Sequence, residues 1–323
     1  MSNTPTPTSS NQSMSLVNWG LLILLSVLWG GSFFFNGVAV QEMPVLSIVF
    51  GRVGIAALAL FVFLKIRGIR FPLKGSIIGA FLLMGFLNNL VPFSLIVAGQ
   101  NYIGSGLASI LNATTPLFAA VIAHVATQEA SERLSARRII GILSGVIGVS
   151  IMMAPDIGET GFSGDSILGQ LAVLGASLSY GVAVVYGRRF GKMGISPVVT
   201  ATGQVAGTTV LMAPLVLFID KPWEFIGEVS GNTLIAVVAL AVFSTAVAYI
   251  LYFQLIKSAG ATNASLVTLI IPASAVLLGV LFLDENISLH AMAGMGCIAA
   301  GLLVIDGRIL NLFKQKQPGK MPG

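Results

Sequence analysis

Charge is scarce in this sequence: only 9% of its 323 residues are Asp, Glu, Lys or Arg, against roughly a quarter in soluble domains. That excludes an ordinary water-soluble fold. Cysteine occurs once, at Cys297, and histidine twice, at His124 and His290. One thiol makes no disulfide framework, and two distant histidines offer no metal-ligand spacing, so neither metal nor cofactor is expected. An intramembrane enzyme would need a nucleophile with its base, a carboxylate pair or a metal cluster. The apolar stretches hold none of these, which leaves a protein that is not an enzyme. They also lack Asp and Glu well inside them, whereas proton-coupled exchangers usually carry a titrating carboxylate or histidine within the membrane. His124 alone is placed for such a role, near the end of an apolar stretch, and it reads better as a core or interfacial group. The same absence argues against proton-driven export of cationic drugs.

The first 17 residues are rich in Ser, Thr and Pro and have no basic n-region. They read as a disordered tail leading into a retained first helix, not as a cleaved leader. Hydrophobic residues make up 55% of the chain and the mean hydropathy is +0.93, so an integral membrane protein in contact with the lipid bilayer is expected. A span of the bilayer core takes about 20 apolar residues. Ten segments meet that test, over 19–39, 45–66, 75–98, 103–126, 136–154, 167–188, 197–219, 233–256, 261–283 and 287–306.

The net charge of +5 marks topology rather than nucleic-acid binding, because the basic residues sit in short connections between spans. With both termini in the cytoplasm, fifteen Lys and Arg fall on that side, from Lys65 and Arg67 through Arg308 to the tail lysines Lys314, Lys316 and Lys320. Only Lys221 falls on the other side, and Arg52 lies within a span.

Two proline-broken stretches organise the chain. Leu111-Asn112-Ala113-Thr114-Thr115-Pro116 interrupts the fourth span, and Val267-Thr268-Leu269-Ile270-Ile271-Pro272 lies 156 residues later in the ninth. A helical proline leaves the carbonyl four residues back without a partner, here those of Asn112 and Thr268. Matched interruptions in two halves point to a substrate site at mid-membrane. Without a gap, 75–129 aligns with 231–285, pairing Gly75 with Gly231, Gly104 with Gly260, Pro116 with Pro272 and Glu129 with Glu285. Each half then holds five spans, an odd number, so the second half enters from the opposite face. The resulting expectation is an all-α membrane protein of ten helices in two inverted five-helix repeats. Its domains are a cytoplasmic tail over 1–17, repeats over 18–154 and 167–311, an extracytoplasmic linker over 155–166 and a basic tail over 312–323. The small-residue pairs Gly141 and Gly145, Gly203 and Gly207, and Gly75 and Gly79 are expected at helix contacts.

Ten helices in inverted halves, an early Leu28-Trp29-Gly30, an arginine in the second span and a Pro-then-Glu pattern ending the fourth and ninth resemble the drug/metabolite transporter superfamily, in its EamA-type group. Within it the chain is similar to the bacterial amino acid exporters, including those for aromatic amino acids. The resemblance covers roughly 18–308. It implies a basket of helices around a central cavity in the bacterial inner membrane, exporting small metabolites without an obligatory protein partner.

The polar residues near span centres are the candidate substrate contacts: Trp29, Arg52, Asn88, Asn89, Phe93, Asn112, Thr115, Tyr180, Gln204, Ser244, Thr245, Tyr249 and Thr268. Ser32, Thr208 and Tyr252 lie at similar depth. In lipid such groups are costly unless they meet partners or water. Amides and hydroxyls suit a zwitterion, while Trp29, Phe93, Tyr180 and Tyr249 suit an apolar side chain or an ammonium. Arg52 either binds a substrate carboxylate bidentately or clamps helix-end carbonyls. Pro92, freeing the Asn88 carbonyl, joins Pro116 and Pro272 as gating kinks. The expected function is uncoupled export of amino acids, broad or aromatic-leaning, by alternating access. The alternatives are a nucleoside or sugar derivative as cargo, a proton-coupled drug exporter, or a channel.

Overall fold

The structure is a computed structural model and describes residues 14–127 and 133–306. The N-terminal tail up to residue 13, Glu129, Arg308 and the tail lysines lie outside the described residues. Among the described residues nine helices are long and apolar enough to cross a membrane, and a tenth is shorter. In chain order they are α1 (Leu16–Ala39), α2 (Val45–Ile66), α3 (Gly75–Gly99), α4 (Ser105–Ala126), α5 (Ala136–Ser163), α6 (Asp165–Lys192), α7 (Pro197–Asp220), α8 (Gly231–Ala259), α9 (Val267–Phe282) and α10 (Leu289–Asp306). The separations of α3 from α4 and of α8 from α9 are real, and no strand occurs among the described residues.

Helix starts follow their caps. Ser15, Ser135 and Ser230 precede α1, α5 and α8, and their hydroxyls accept from the backbone N–H groups of Asn18, Arg138 and Thr233, meeting donors that a helix leaves unpaired at its first turn. The landmark glycines have different reasons. Gly260 ends α8 at φ +84°, a conformation open to glycine and costly for other residues. Gly104 has an ordinary φ, but a Cβ there would stand 2.9 Å from the Glu285 carboxyl carbon.

The packing is two-fold. α1 lies on α9 as α4 lies on α6, α1 on α8 as α3 on α6, and α2 on α8 as α3 on α7. Exchanging the halves maps each pair onto its partner, while α2–α7, α4–α9 and α5–α10 map onto themselves. α5 and α10 are the least buried spans and pack chiefly on each other. They approach through glycine: a Cβ on Gly141 would lie 2.6 Å from the Gly301 carbonyl oxygen, and one on Gly148 2.7 Å from that of Gly294. Gly203 and Gly207 likewise admit Phe81 and the Leu82 backbone. Gly75 and Gly79 are a correction, because no atom of another element lies within 4 Å of their Cβ positions and they make no helix contact.

Three further corrections concern helix continuity. α4 is broken at Ala113 and Thr114 as expected, but Val267–Phe282 runs unbroken through Pro272. The turn in the second half falls earlier, at Ser265 and Leu266. α5 continues past Pro155, which places Asp156 inside a helix, near its end. The third concerns α3, which carries a π-helical segment over Phe86–Leu90, and α8 carries one over Val242–Val247. These bulges start 156 residues apart, the offset of the sequence repeat.

Candidate functional site

A π-bulge adds a residue to a helical turn and re-aims the side chains around it; such bulges are rare and concentrate at functional sites. Here each bulge carries a polar pair, Asn88-Asn89 in α3 and Ser244-Thr245 in α8. The second residue of each pair reaches across to the other half. Arg52 of α2 donates from Nε to the Thr245 hydroxyl at 2.9 Å. Asn89 donates from Nδ2 to the Thr208 hydroxyl of α7 at 3.2 Å. Arg52 and Thr208 are themselves 156 residues apart, so these are two copies of one contact. Only the first copy carries a charge.

The bulges also decide which carbonyls need partners. In α3 the pairing runs five residues ahead, with the Val91 N–H on the Phe86 carbonyl. Pro92 is the residue five after Leu87 and has no N–H. The orphaned carbonyl is therefore that of Leu87, not of Asn88 as a regular α-helix would have it, and the Ser179 hydroxyl of α6 donates to it at 2.7 Å. Thr208 caps the Gly85 carbonyl at 3.0 Å, and Thr245 caps that of Leu240 at 2.9 Å.

Around these bulges the structure gathers most of the expected residues. Asn88 donates to Gln204 Oε1 at 3.2 Å and stands 3.4 Å from the Tyr249 hydroxyl, which also accepts from Gln204 Nε2 at 2.9 Å. Tyr249 reaches Asn89 Oδ1 at 3.5 Å. The Arg52 guanidinium carbon lies 3.7 Å from the centre of the Phe93 ring, and Phe93 meets Tyr180 edge-on at 6.4 Å. Trp29 joins through aromatic contacts, tilted on Tyr252 at 5.2 Å, with Phe253 between Tyr252 and Tyr249. Ser244 is buried with its hydroxyl unpaired and lies near Gly31 of α1.

Arg52 is 6% exposed. No carboxylate pairs with it among the described residues, and it donates to no helix-end carbonyl, so the clamp expectation is not realised. Among the described residues its one hydrogen bond is the Nε bond to Thr245, and its Nη atoms have none. An ion buried without a counter-ion costs several kcal/mol, which makes this guanidinium the strongest unmet demand in the bundle.

Other expected residues turn back on their own helices. The Thr115 hydroxyl donates at 2.8 Å to the Asn112 carbonyl, the one that Pro116 leaves unpaired. Thr268 donates to the Ser265 carbonyl at 2.8 Å. Asn112 keeps a buried Oδ1 without a partner. Ser32 donates to the Trp29 carbonyl at 2.7 Å. Pro92 belongs to the site through Leu87, Pro116 to the break in α4, and Pro272 to neither. Ser179 was missed in the sequence. Thr208 deserved more weight, and its position 156 residues after Arg52 was the available signal.

The end of the bundle that carries connections 40–44, 100–104, 221–230 and 283–288 is tied by carboxylates. Glu285 accepts from the backbone N–H groups of Ser105 and Gly106 at the start of α4, at 2.5 and 2.9 Å. Asp220 accepts from Ser47 N and Oγ, and Glu42 from Ser230 N at 2.8 Å. Each is a charge-assisted bond at or beside a helix N-terminus, where negative charge is favoured. A polar recess of about 620 Å³ opens there, lined by Glu42, Gln100, Asn101, Ser105, Asn232 and Glu285. Asp156, also near this end, accepts from Ser166 and Gln170. Among the described residues no group of His, Cys, Asp or Glu is placed to hold a metal.

The two-fold packing, the paired bulges and the duplicated contact describe a chain made of two related halves. The model of the EamA-like transporter family matches it twice, over 18–154 and 167–306. The chain belongs to the EamA-like transporter family. It is a membrane transporter of the drug/metabolite type and not an enzyme. YoaV of Bacillus subtilis, an uncharacterized transporter, is 23% identical over 293 residues, 90% of this chain and 95% of its own. YedA of Escherichia coli K12, an uncharacterized inner membrane transporter, is 27% identical over 300 residues, 90% of this chain and 92% of its own. A solved crystal structure superposes with a TM-score of 0.64 at 17% identity, covering 94% of this chain and all of that one. That likeness is one of fold. The polar layer where α2, α3, α6, α7 and α8 meet is the candidate site of this chain.

Proposed function

We propose that this EamA-type transporter exports amino acids, with broad or aromatic-leaning selectivity, from the cytoplasm of a bacterium across its inner membrane. The observation that carries the reading is Arg52, a buried guanidinium with no carboxylate partner among the described residues, in a layer of neutral amides and phenols. A zwitterion supplies what the layer lacks, a carboxylate for Arg52, and brings an ammonium that amide oxygens and aromatic faces accept. The aromatic run from Trp29 through Tyr252 and Phe253 to Tyr249 gives an apolar side chain a wall.

The basic connections support cytoplasmic termini, with the carboxylate-tied end outside. Alternating access moves the two halves about the bulges in α3 and α8 and the break in α4. Transport runs down the amino acid gradient without proton coupling, a reading supported by the titratable groups at hand: the polar layer offers an arginine and tyrosines, while the carboxylates Glu42, Asp156, Asp220 and Glu285 sit towards one end.

The test is counterflow of labelled phenylalanine and threonine in liposomes holding the purified protein, with and without an imposed pH gradient. Saturable counterflow indifferent to the gradient is expected. Strict dependence on the gradient would refute the uncoupled mechanism, and absence of counterflow with either amino acid would refute the cargo.

A further inference from the structure

Thr245 is among the residues a sequence reading assigns to the substrate, yet its one proton and one of its two lone pairs are already committed. A threonine hydroxyl has one proton to give, and here it goes to the Leu240 carbonyl at 2.9 Å. With the proton so placed, the oxygen presents only lone pairs towards α2, and it accepts Arg52 Nε at 2.9 Å. The acceptor that starts this sequence, the Leu240 carbonyl, stands at the entry to the bulge over Val242–Val247. The Phe93 ring fixes the third constraint by covering one face of the guanidinium, 3.7 Å from Cζ.

Arginine can grip a carboxylate in two bidentate ways, side-on through Nε and one Nη, or end-on through both Nη groups. Thr245 occupies Nε, so the side-on mode is closed. Among the described residues neither Nη group has a hydrogen-bond acceptor, so the end-on fork is open there. We infer that Thr245 is a positioning residue: it does not touch the substrate but aims Arg52, so that a substrate carboxylate is taken end-on by the Nη pair. The inference rests on the amino acid reading only for the identity of the cargo, because the fork selects any compact carboxylate. It also gives the α8 bulge a defined task, since the bulge sets the direction of the Thr245 proton and through it the plane of the guanidinium.

The experiment compares the wild type with Thr245→Val and Thr245→Ser, purified in one detergent. Ligand-induced shifts of the thermal unfolding midpoint are titrated with phenylalanine, phenylacetate and phenethylamine. The expected result is that the two carboxylates stabilise the wild type more tightly than the amine. T245V should weaken both carboxylates about tenfold, the size of one charge-assisted hydrogen bond misdirected, and leave the amine unchanged. T245S, which keeps the hydroxyl, should restore the preference. A structural role alone would weaken all three probes together and overturn the inference, as would T245V with wild-type carboxylate affinity. Stabilisation by phenylacetate without phenylalanine would sink the amino acid reading and leave the fork standing. No stabilisation by either carboxylate would overturn the fork itself.

Discussion

Replacing Arg52 by Met should weaken carboxylate binding about a hundredfold while leaving the protein about as stable as before. Methionine keeps much of the apolar stem and removes the charge. Two favourable interactions go with it: the bond from Nε to Thr245, worth about 1.5–3 kcal/mol as a bond to a charged group, and the cation–π contact with Phe93, worth about 2 kcal/mol when desolvated. Against that loss of roughly 4 kcal/mol stands the penalty of holding an unpaired ion out of water, several kcal/mol in real proteins. No donor is stranded, because the Thr245 proton stays on the Leu240 carbonyl. The two sides nearly cancel, so R52M should unfold within about 2 kcal/mol of the wild type, on either side of it. The loss in binding is not offset: two charge-assisted bonds to a carboxylate amount to about 3 kcal/mol or more, a factor on the order of a hundred in affinity. Chemical denaturation in a fixed detergent gives the first quantity and counterflow the second. A stability loss above about 3 kcal/mol, the range of a core truncation, would make Arg52 a structural strut, and counterflow at wild-type affinity would remove it from the site.

Three other outcomes follow from the same geometry. Ser179→Ala strands the Leu87 carbonyl beside Pro92 and should cost about 1–3 kcal/mol; thermal unfolding reads it, and an unchanged midpoint would mean the carbonyl has another partner. Gly301→Leu should force α5 and α10 apart, because a Cβ there already meets the Gly141 carbonyl, whereas at the exposed Gly79 no other element lies within 4 Å of the Cβ position and Gly79→Leu should be tolerated; equal melting of the two variants would refute the glycine contact. The Glu42 carboxyl is held below its ordinary value near 4.5, first by the Ser230 N–H it accepts. A depressed folded value means the tie is complete above about pH 4.5 and is lost as pH falls through the lowered value. Hydrogen exchange at the Ser230 amide, corrected for intrinsic rate, should accelerate in acid in the wild type and show no such step in Glu42→Gln.

Much of the architecture was legible because bilayer thickness dictates span length and the repeat kept its Gly and Pro landmarks in phase. Arg52 stood out for the same reason, as a lone charge in apolar sequence. The bulges did not. A π-bulge in α3 has Pro92 beside it, but the one in α8 has Ala248 at the equivalent position, so no shared residue announces the pair. That hidden extra residue is why the freed carbonyl moved from Asn88 to Leu87 and why Ser179 went unnoticed. Pro272 misled in the opposite direction, since a proline within a span can be absorbed without a break. Thr115 and Thr268 have the composition of ligand contacts, yet their hydroxyls satisfy their own backbone, a choice that lies in rotamers rather than in residue type.

The contact that the halves share is duplicated in position but not in charge, with Arg52 in one and Thr208 in the other. A carrier with two equivalent anchors could hand its cargo from one half to the other as it rocks. If the proposed function holds, this one has a single anchor, and the passenger would stay seated on the first half throughout the cycle and cross without tumbling. A mirror-image amino acid, gripped by the same carboxylate, would then present its side chain to the wrong wall, and chirality becomes something the membrane passage itself can read.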